Sequence, residues 1–162
     1  MEETMKALVA YFSASGVTAE VARNLAEVAR ADLYEIMPEV PYTTADLNWN
    51  DKNARSTVEM HNKALRPAIV DRAAHIANYD VVYLGFPIWW YVAPTIVNTF
   101  LETYDFSEKT IVLFATSGGS GFGNTVKELR VSCPNAKIIE GGLLNGRPSE
   151  ANLKKWLDNI KF

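Results

Sequence analysis

The residues that could do chemistry in this chain gather in three short stretches, and the first is a hydroxyl-rich loop at Ser13-Ala14-Ser15-Gly16-Val17-Thr18. Ser13, Ser15 and Thr18 supply hydroxyls, and Gly16 permits a tight backbone turn. Thr18 is placed to cap a helix beginning at Ala19. Backbone N–H groups converging at a helix N-terminus favour an anion, so the loop suits a phosphate, and hydroxyls and amides suffice as donors without a lysine. The alternative is an ordinary strand-to-helix turn.

The second stretch, Pro87-Ile88-Trp89-Trp90-Tyr91-Val92-Ala93-Pro94, sets three consecutive aromatics between two prolines. At the carboxyl end of a strand such rings stay exposed unless something flat covers them. A dimer contact or a loop folded into the core is the other reading. The third stretch, Thr116-Ser117-Gly118-Gly119-Ser120-Gly121-Phe122-Gly123-Asn124-Thr125, is glycine-rich. Gly118 and Gly123 have Walker A spacing, but Asn124 stands where the lysine would be, and the dinucleotide fingerprint lacks its third glycine. What remains is a backbone able to approach a planar ligand closely.

These loops need a scaffold, and the chain supplies strands alternating with helices. Leu8 to Phe12, Val81 to Phe86 and the greater part of Lys109 to Thr116 are charge-free runs of the kind buried on both faces of a parallel sheet. Ala31 to Ile36 alternates apolar with polar residues and reads as an edge strand; Ala136 to Glu140 reads as the far strand, with Leu143-Leu144 either prolonging it or forming a bend. Helical spacing appears over Thr18 to Arg30, Pro94 to Tyr104 and Asn124 to Val131. It appears again in a terminal helix capped by Ser149, with Leu153, Trp156, Leu157 and Ile160 on one face. Residues 37–70 read as a long loop broken by Pro38 and Pro41, with a surface helix from Asp51 to Leu65 and a short helical turn through Ile76 further on. Tyr42 and Trp49 in that loop either flank a ligand or pin the loop to the core.

Five strands with intervening helices imply an α/β three-layer sandwich, a parallel sheet of order 2-1-3-4-5 with helices on both faces. All three loops then leave the carboxyl ends of strands, where doubly wound sheets bind ligands at the reversal of strand order. A molecule with a phosphate at one end and a flat aromatic system at the other would satisfy them together.

The 162 residues suit one domain, residues 1–162, and the formal charge of −3 gives no basic footprint for nucleic acid. Cys133 is alone, which leaves no disulfide framework and no cysteine cluster for zinc; His61 and His75 read as solvated histidines in helical stretches. An acidic start and the lack of an apolar run long enough to span a bilayer point to a cytoplasmic protein.

The chain resembles the flavodoxins, and more narrowly short flavodoxin-like proteins marked by Tyr-Phe-Ser at Tyr11 to Ser13, Gly-Phe-Pro-Ile-Trp-Trp at Gly85 to Trp90 and Thr-Ser-Gly-Gly-Ser-Gly at Thr116 to Gly121. Phe100 to Phe106 matches as well. The resemblance implies FMN as cofactor. Ser13, Ala14, Ser15, Gly16, Val17 and Thr18 would wrap its phosphate, while Pro87, Ile88, Trp89, Trp90 and Tyr91 with Thr116, Ser117, Gly118 and Gly119 would border the isoalloxazine. One departure is that Ser15 and Val17 replace the usual Thr and Asn; a backbone amide does not depend on its side chain, so binding should survive.

The resemblance leaves three functions open. The first is an electron carrier serving redox partner proteins or small electron acceptors, as a monomer or homodimer. The second is an NAD(P)H-dependent reductase of quinone-type acceptors, and the third a nucleotide-binding module without redox work. Flavodoxins flip a glycine-containing peptide beside the flavin. No glycine lies between Phe86 and Pro94, and a Cβ resists φ > 0 by roughly 1 kcal/mol or more, so a flip through Trp90-Tyr91 should be less favourable here. Phe86 to Pro94 and Thr116 to Gly123 also lack any acid. The expectation is less of the one-electron-reduced cofactor and full reduction at a less negative potential.

Overall fold

The structure is a computed structural model that describes residues 6–71, 73–117, 121–160 and 162. Its organising feature is a strict alternation along charge-free strands. β1 (Ala7–Tyr11), β5 (Val81–Pro87) and β6 (Thr110–Thr116) pair in parallel. Leu8, Ala10, Phe12, Val82, Leu84, Phe86, Ile111, Leu113 and Ala115 enter one core. Val9, Tyr11, Val81, Tyr83, Val112 and Phe114 enter the other. With a side-chain period of two, only runs apolar at every position can fill cores on both faces.

β2 (Asp32–Glu35) and β7 (Lys137–Leu143) flank these strands, giving the order β2-β1-β5-β6-β7. This is the expected 2-1-3-4-5 arrangement of core strands. α1 (Val17–Ala29) and α5 (Glu150–Asp158) cover one face through Val21, Leu25 and Leu153. α3 (Thr95–Thr103) and α4 (Thr125–Arg130) cover the other through Ile96, Val97, Phe100 and Leu129. Gly85 sits beneath the Phe114 ring, where a Cβ would lie 2.2 Å from the ring carbon, so the ring fills the space a side chain would need. β7 runs past Glu140 through a bulge opposite Leu113 and Phe114. There the Trp156 indole N–H donates to the Gly141 carbonyl at 2.9 Å. Ser149 caps α5 as expected, its hydroxyl accepting from the Asn152 amide at 3.1 Å.

Two expectations need correction. α1 begins at Val17 with Gly16 as its N-cap, because the Thr18 side chain is drawn inward to a buried partner instead of capping. The segment 37–70 is more ordered than a loop. β3 (Met37–Pro38) and β4 (Ile69–Val70) form a short antiparallel ladder, so Pro38 does not break its element. α2 covers Arg55–His61 only, with Val58 and His61 exposed while Ser56, Thr57, Glu59 and Met60 are buried. Val58 does not mark the inner face, which carries Met60 and the Glu59 carboxylate with its polar contacts.

Candidate functional site

At the carboxyl edge of the sheet, the chain leaves β1 with the Phe12 amide bonded to the Gly85 carbonyl at 2.9 Å. The Ser13 hydroxyl accepts from the Gly16 amide at 3.1 Å, and Gly16 adopts φ 95, which turns the backbone into α1. The first-turn amides of α1 have no carbonyl within the helix to bind. Ser15, Gly16 and Val17 are exposed, Ser13 and Ala14 half-buried. A Cβ placed at Gly16 would meet nothing within 4 Å, so the space above the turn is open.

Thr18 is the exception in this loop. It is buried, and its hydroxyl shares a hydrogen bond with that of Thr116 at 2.8 Å, tying the first loop to the third. Both side chains are therefore structural ties beneath the loops. The third loop is held further by the Ser117 amide, which donates to Asn145 Oδ1 at 2.8 Å, and by the Thr116 carbonyl, which accepts from Ile88 at 2.9 Å. Asn145 was not singled out by the sequence, since nothing local couples it to Ser117. Gly118 and Gly119 lie outside the described residues.

The second loop is a two-residue hairpin. Trp89 and Val92 exchange backbone hydrogen bonds of 2.9 and 3.1 Å. Trp90 and Tyr91 between them have φ 50 and 63. Turns of this kind ordinarily carry Asn-Gly, because both central residues are left-handed. Side chains resist this region, yet the turn adopts it at both positions, so the strained form is the one present. Pro87 pairs with Thr116 at the strand ends, Ile88 is buried, Trp89 is half-buried, and Trp90 and Tyr91 are 38% and 61% exposed.

Trp89 is braced by rings. Phe12, Tyr42 and Trp89 meet edge to face, with centroids 5.5 Å apart for Phe12 and Tyr42, 5.8 Å for Phe12 and Trp89 and 5.6 Å for Tyr42 and Trp89. Tyr42 in turn donates its hydroxyl to the buried Glu59 carboxylate, while the Arg55 guanidinium lies 3.8 Å from the centre of the Tyr42 ring and bonds Glu59 at 3.0 Å. Burial first, then the Glu59 carboxylate, pushes the Tyr42 hydroxyl far above the usual phenol range. Tyr42 thus pins the loop to the core and also lines an open groove of about 820 Å³ with Ala14, Ser15, Thr44, Asn48 and Trp49. Trp49 itself is 70% exposed. Replacing Tyr42 with phenylalanine should lower stability by about 1–2 kcal/mol, because buried Glu59 loses a donor while the ring remains. Urea unfolding with an unchanged midpoint would show that the hydroxyl is unimportant.

On the far side of the first loop, Arg147 pairs with Glu20 at 3.6 Å beside Ser15, Gly16 and Val17, so charge there is locally compensated. Burial pushes the Cys133 thiol up to about 11, which leaves it protonated at neutral pH. Among the described residues, no group of three His, Cys, Asp or Glu is arranged to hold a metal ion. No described helix is long and apolar enough to cross a membrane.

A parallel sheet of this order, with an anion-suited turn after its first strand and an aromatic loop beside it, defines the class of doubly wound α/β folds. The flavodoxin family model matches residues 6–160, and the chain belongs to that family. Among solved structures, a provisionally assigned flavoprotein from Bacteroides eggerthii is 49% identical, with 96% of this chain and 97% of that one covered and a TM-score of 0.89. Another, from Bacteroides uniformis, is 47% identical over 97% of this chain and 100% of that one, with a TM-score of 0.90. A flavoprotein from Lactobacillus acidophilus, solved in complex with FMN, is 21% identical over 95% of this chain and 99% of that one; its TM-score of 0.65 reflects a shared fold. A comparison with curated protein sequences returned no match.

Proposed function

We propose that the protein binds FMN at this edge and works as an electron-transfer flavoprotein. The observation that carries the proposal is the convergence of three loops from β1, β5 and β6 on one sheet edge, tied together by Thr18 with Thr116 and by Ile88 with Thr116. The residues fit the cofactor. The open space above Gly16 and the free first turn of α1 suit a phosphate, and the half-exposed rings of Trp90 and Tyr91 offer a flat apolar surface. Ser13, Ala14, Ser15, Gly16 and Val17 would hold the phosphate end; Pro87 to Tyr91, with Ser117 and its neighbours, would border the ring system. Thr18 and Thr116 would act from beneath, through the bond between them. The FMN complex of the Lactobacillus acidophilus flavoprotein, which shares the fold, supports this choice of ligand.

FMN, when bound, supplies one- and two-electron redox chemistry at its isoalloxazine. The protein's part is to bind and orient it and to leave an edge open to partners. The acid-free stretches Phe86 to Pro94 and Thr116 to Gly123 place no carboxylate in these loops. We propose that the protein serves redox proteins or small acceptors in the cytoplasm; its one cysteine has no second cysteine in the sequence to pair with in a disulfide. The second reading, an NAD(P)H-dependent reductase, is favoured by one feature: the groove beside Ser15 and Tyr42 leaves room for another ligand.

The test is direct. Apo-protein titrated with FMN should take up one equivalent per chain with quenching of tryptophan fluorescence. The loaded protein should oxidise NAD(P)H no faster than free FMN. Saturable NAD(P)H oxidation would favour the reductase, and failure to bind FMN would remove both readings.

A further inference from the structure

The Trp90-Tyr91 turn is held in a conformation that neither residue favours. For L-residues the left-handed region carries a penalty of roughly 1–2 kcal/mol per residue, and bulky side chains seldom occupy it. Such strain persists only where the surroundings over-determine it. The twist of a paired hairpin favours this hand, but Trp89 and Val92 make only one isolated bridge, so a contact from outside the hairpin is needed to hold two bulky residues there.

The outside contact is the segment leading into α4. Gly123, itself at φ 52, approaches so closely that a Cβ there would lie 2.4 Å from the Tyr91 carbonyl oxygen and 2.8 Å from Tyr91 Cβ. Two residues on, the fully buried Thr125 shares its hydroxyl between the Phe122 carbonyl and, at 3.4 Å, the Tyr91 carbonyl. The Tyr91 carbonyl is thus seated in a slot that only a glycine at 123 leaves open. On its other side the turn presents the Trp90 ring to His61 at the end of α2, with ring centroids 6.2 Å apart.

We infer that Gly123 and Thr125 are positioning residues: they seat the Tyr91 carbonyl and so impose the left-handed turn that aims Trp90 and Tyr91. The consequence for cofactor binding rests on the FMN reading above; the seating of the turn does not. In this arrangement the aromatic loop and the start of α4 move together, and a change at residue 123 is felt at Trp90.

The experiment is Gly123→Ala, followed by the indole N–H resonance of Trp90, assigned by its loss in Trp90→Phe, and by the Tyr91 and Val92 amides. The Trp156 indole, bonded to Gly141 on the opposite face, is the internal reference. The expected result is a displaced Trp90 signal and displaced Tyr91 and Val92 amides with Trp156 unmoved, and FMN affinity reduced about tenfold, equivalent to about 1.4 kcal/mol. A folded variant with an unmoved Trp90 signal would overturn the inference. Should the alanine variant not fold, Thr125→Val replaces it: displacement of the Trp90 signal, reversed in Thr125→Ser, supports the seating role, and an unmoved signal in Thr125→Val overturns it. A wild-type protein that shows these shifts on substitution but binds no FMN would remove the functional reading and leave the seating role standing.

Discussion

Replacing Gly16 with valine is expected to weaken FMN binding by about tenfold to a hundredfold while changing riboflavin binding far less. Gly16 has φ 95, a region that a β-branched residue enters only under strain. Its amide is bonded to the Ser13 hydroxyl and its carbonyl to the Glu20 amide at 3.1 Å, so the turn cannot relax without disturbing both the loop and the first turn of α1. Crowding against protein atoms is not the cause, since a Cβ at this position meets nothing within 4 Å. The side chain would instead project into open space that the FMN reading gives to the phosphate. Tenfold to a hundredfold corresponds to about 1.4–2.7 kcal/mol, comparable with the strain expected for one misplaced residue. Riboflavin lacks the phosphate and serves as the control. Fluorescence titrations of both flavins against wild type and variant decide the matter: equal losses for the two would move the phosphate away from Gly16.

The sheet was legible in the sequence because its signal is local. A strand apolar at every position has few places to go other than the middle of a two-sided core, and Leu8 to Phe12 and Val81 to Phe86 state this within a handful of residues. The loops followed, since once the strands are placed in parallel their carboxyl ends share an edge. What escaped was non-local. Thr18 has the composition of a helix cap, yet its hydroxyl is taken by Thr116, 98 residues away, and Gly16 caps the helix instead. Asn145 and Gly123 matter through Ser117 and Tyr91, and neither partnership leaves a mark in spacing. Within 37–70 the hydrophobic pattern misleads, because Glu59 is buried by Tyr42 and Arg55 while Val58 faces out. The clue available was chemical rather than periodic: Arg55 and Glu59 are four apart on a helix, and Tyr42 is an aromatic for the guanidinium to cover.

The aromatic turn gives the last and most discriminating expectation. Substituting Trp90→Asn and Tyr91→Gly together installs the pair that left-handed two-residue turns ordinarily use. Relief of strain at two positions should raise stability by about 2 kcal/mol, since each left-handed residue carries roughly 1–2 kcal/mol. Offsetting losses are limited by exposure: Trp90 is 38% and Tyr91 61% exposed, so less than a full ring's burial is forfeited at each. For a chain of this size the gain reads as a rise in Tm of roughly 4–8 °C. FMN affinity should fall at least about tenfold, because both rings that would meet the flavin are gone. A more stable protein that binds its cofactor poorly is the pattern expected where strain is kept for function. In that same background the turn holds its own hand, so Thr125→Val should move the hairpin amides far less than it does in the wild-type turn. A fall in Tm for the double variant would mean that the contacts of Trp90 with His61 and of Tyr91 with Gly123 outweigh the left-handed strain, and the turn would then be a well-packed element rather than a strained one.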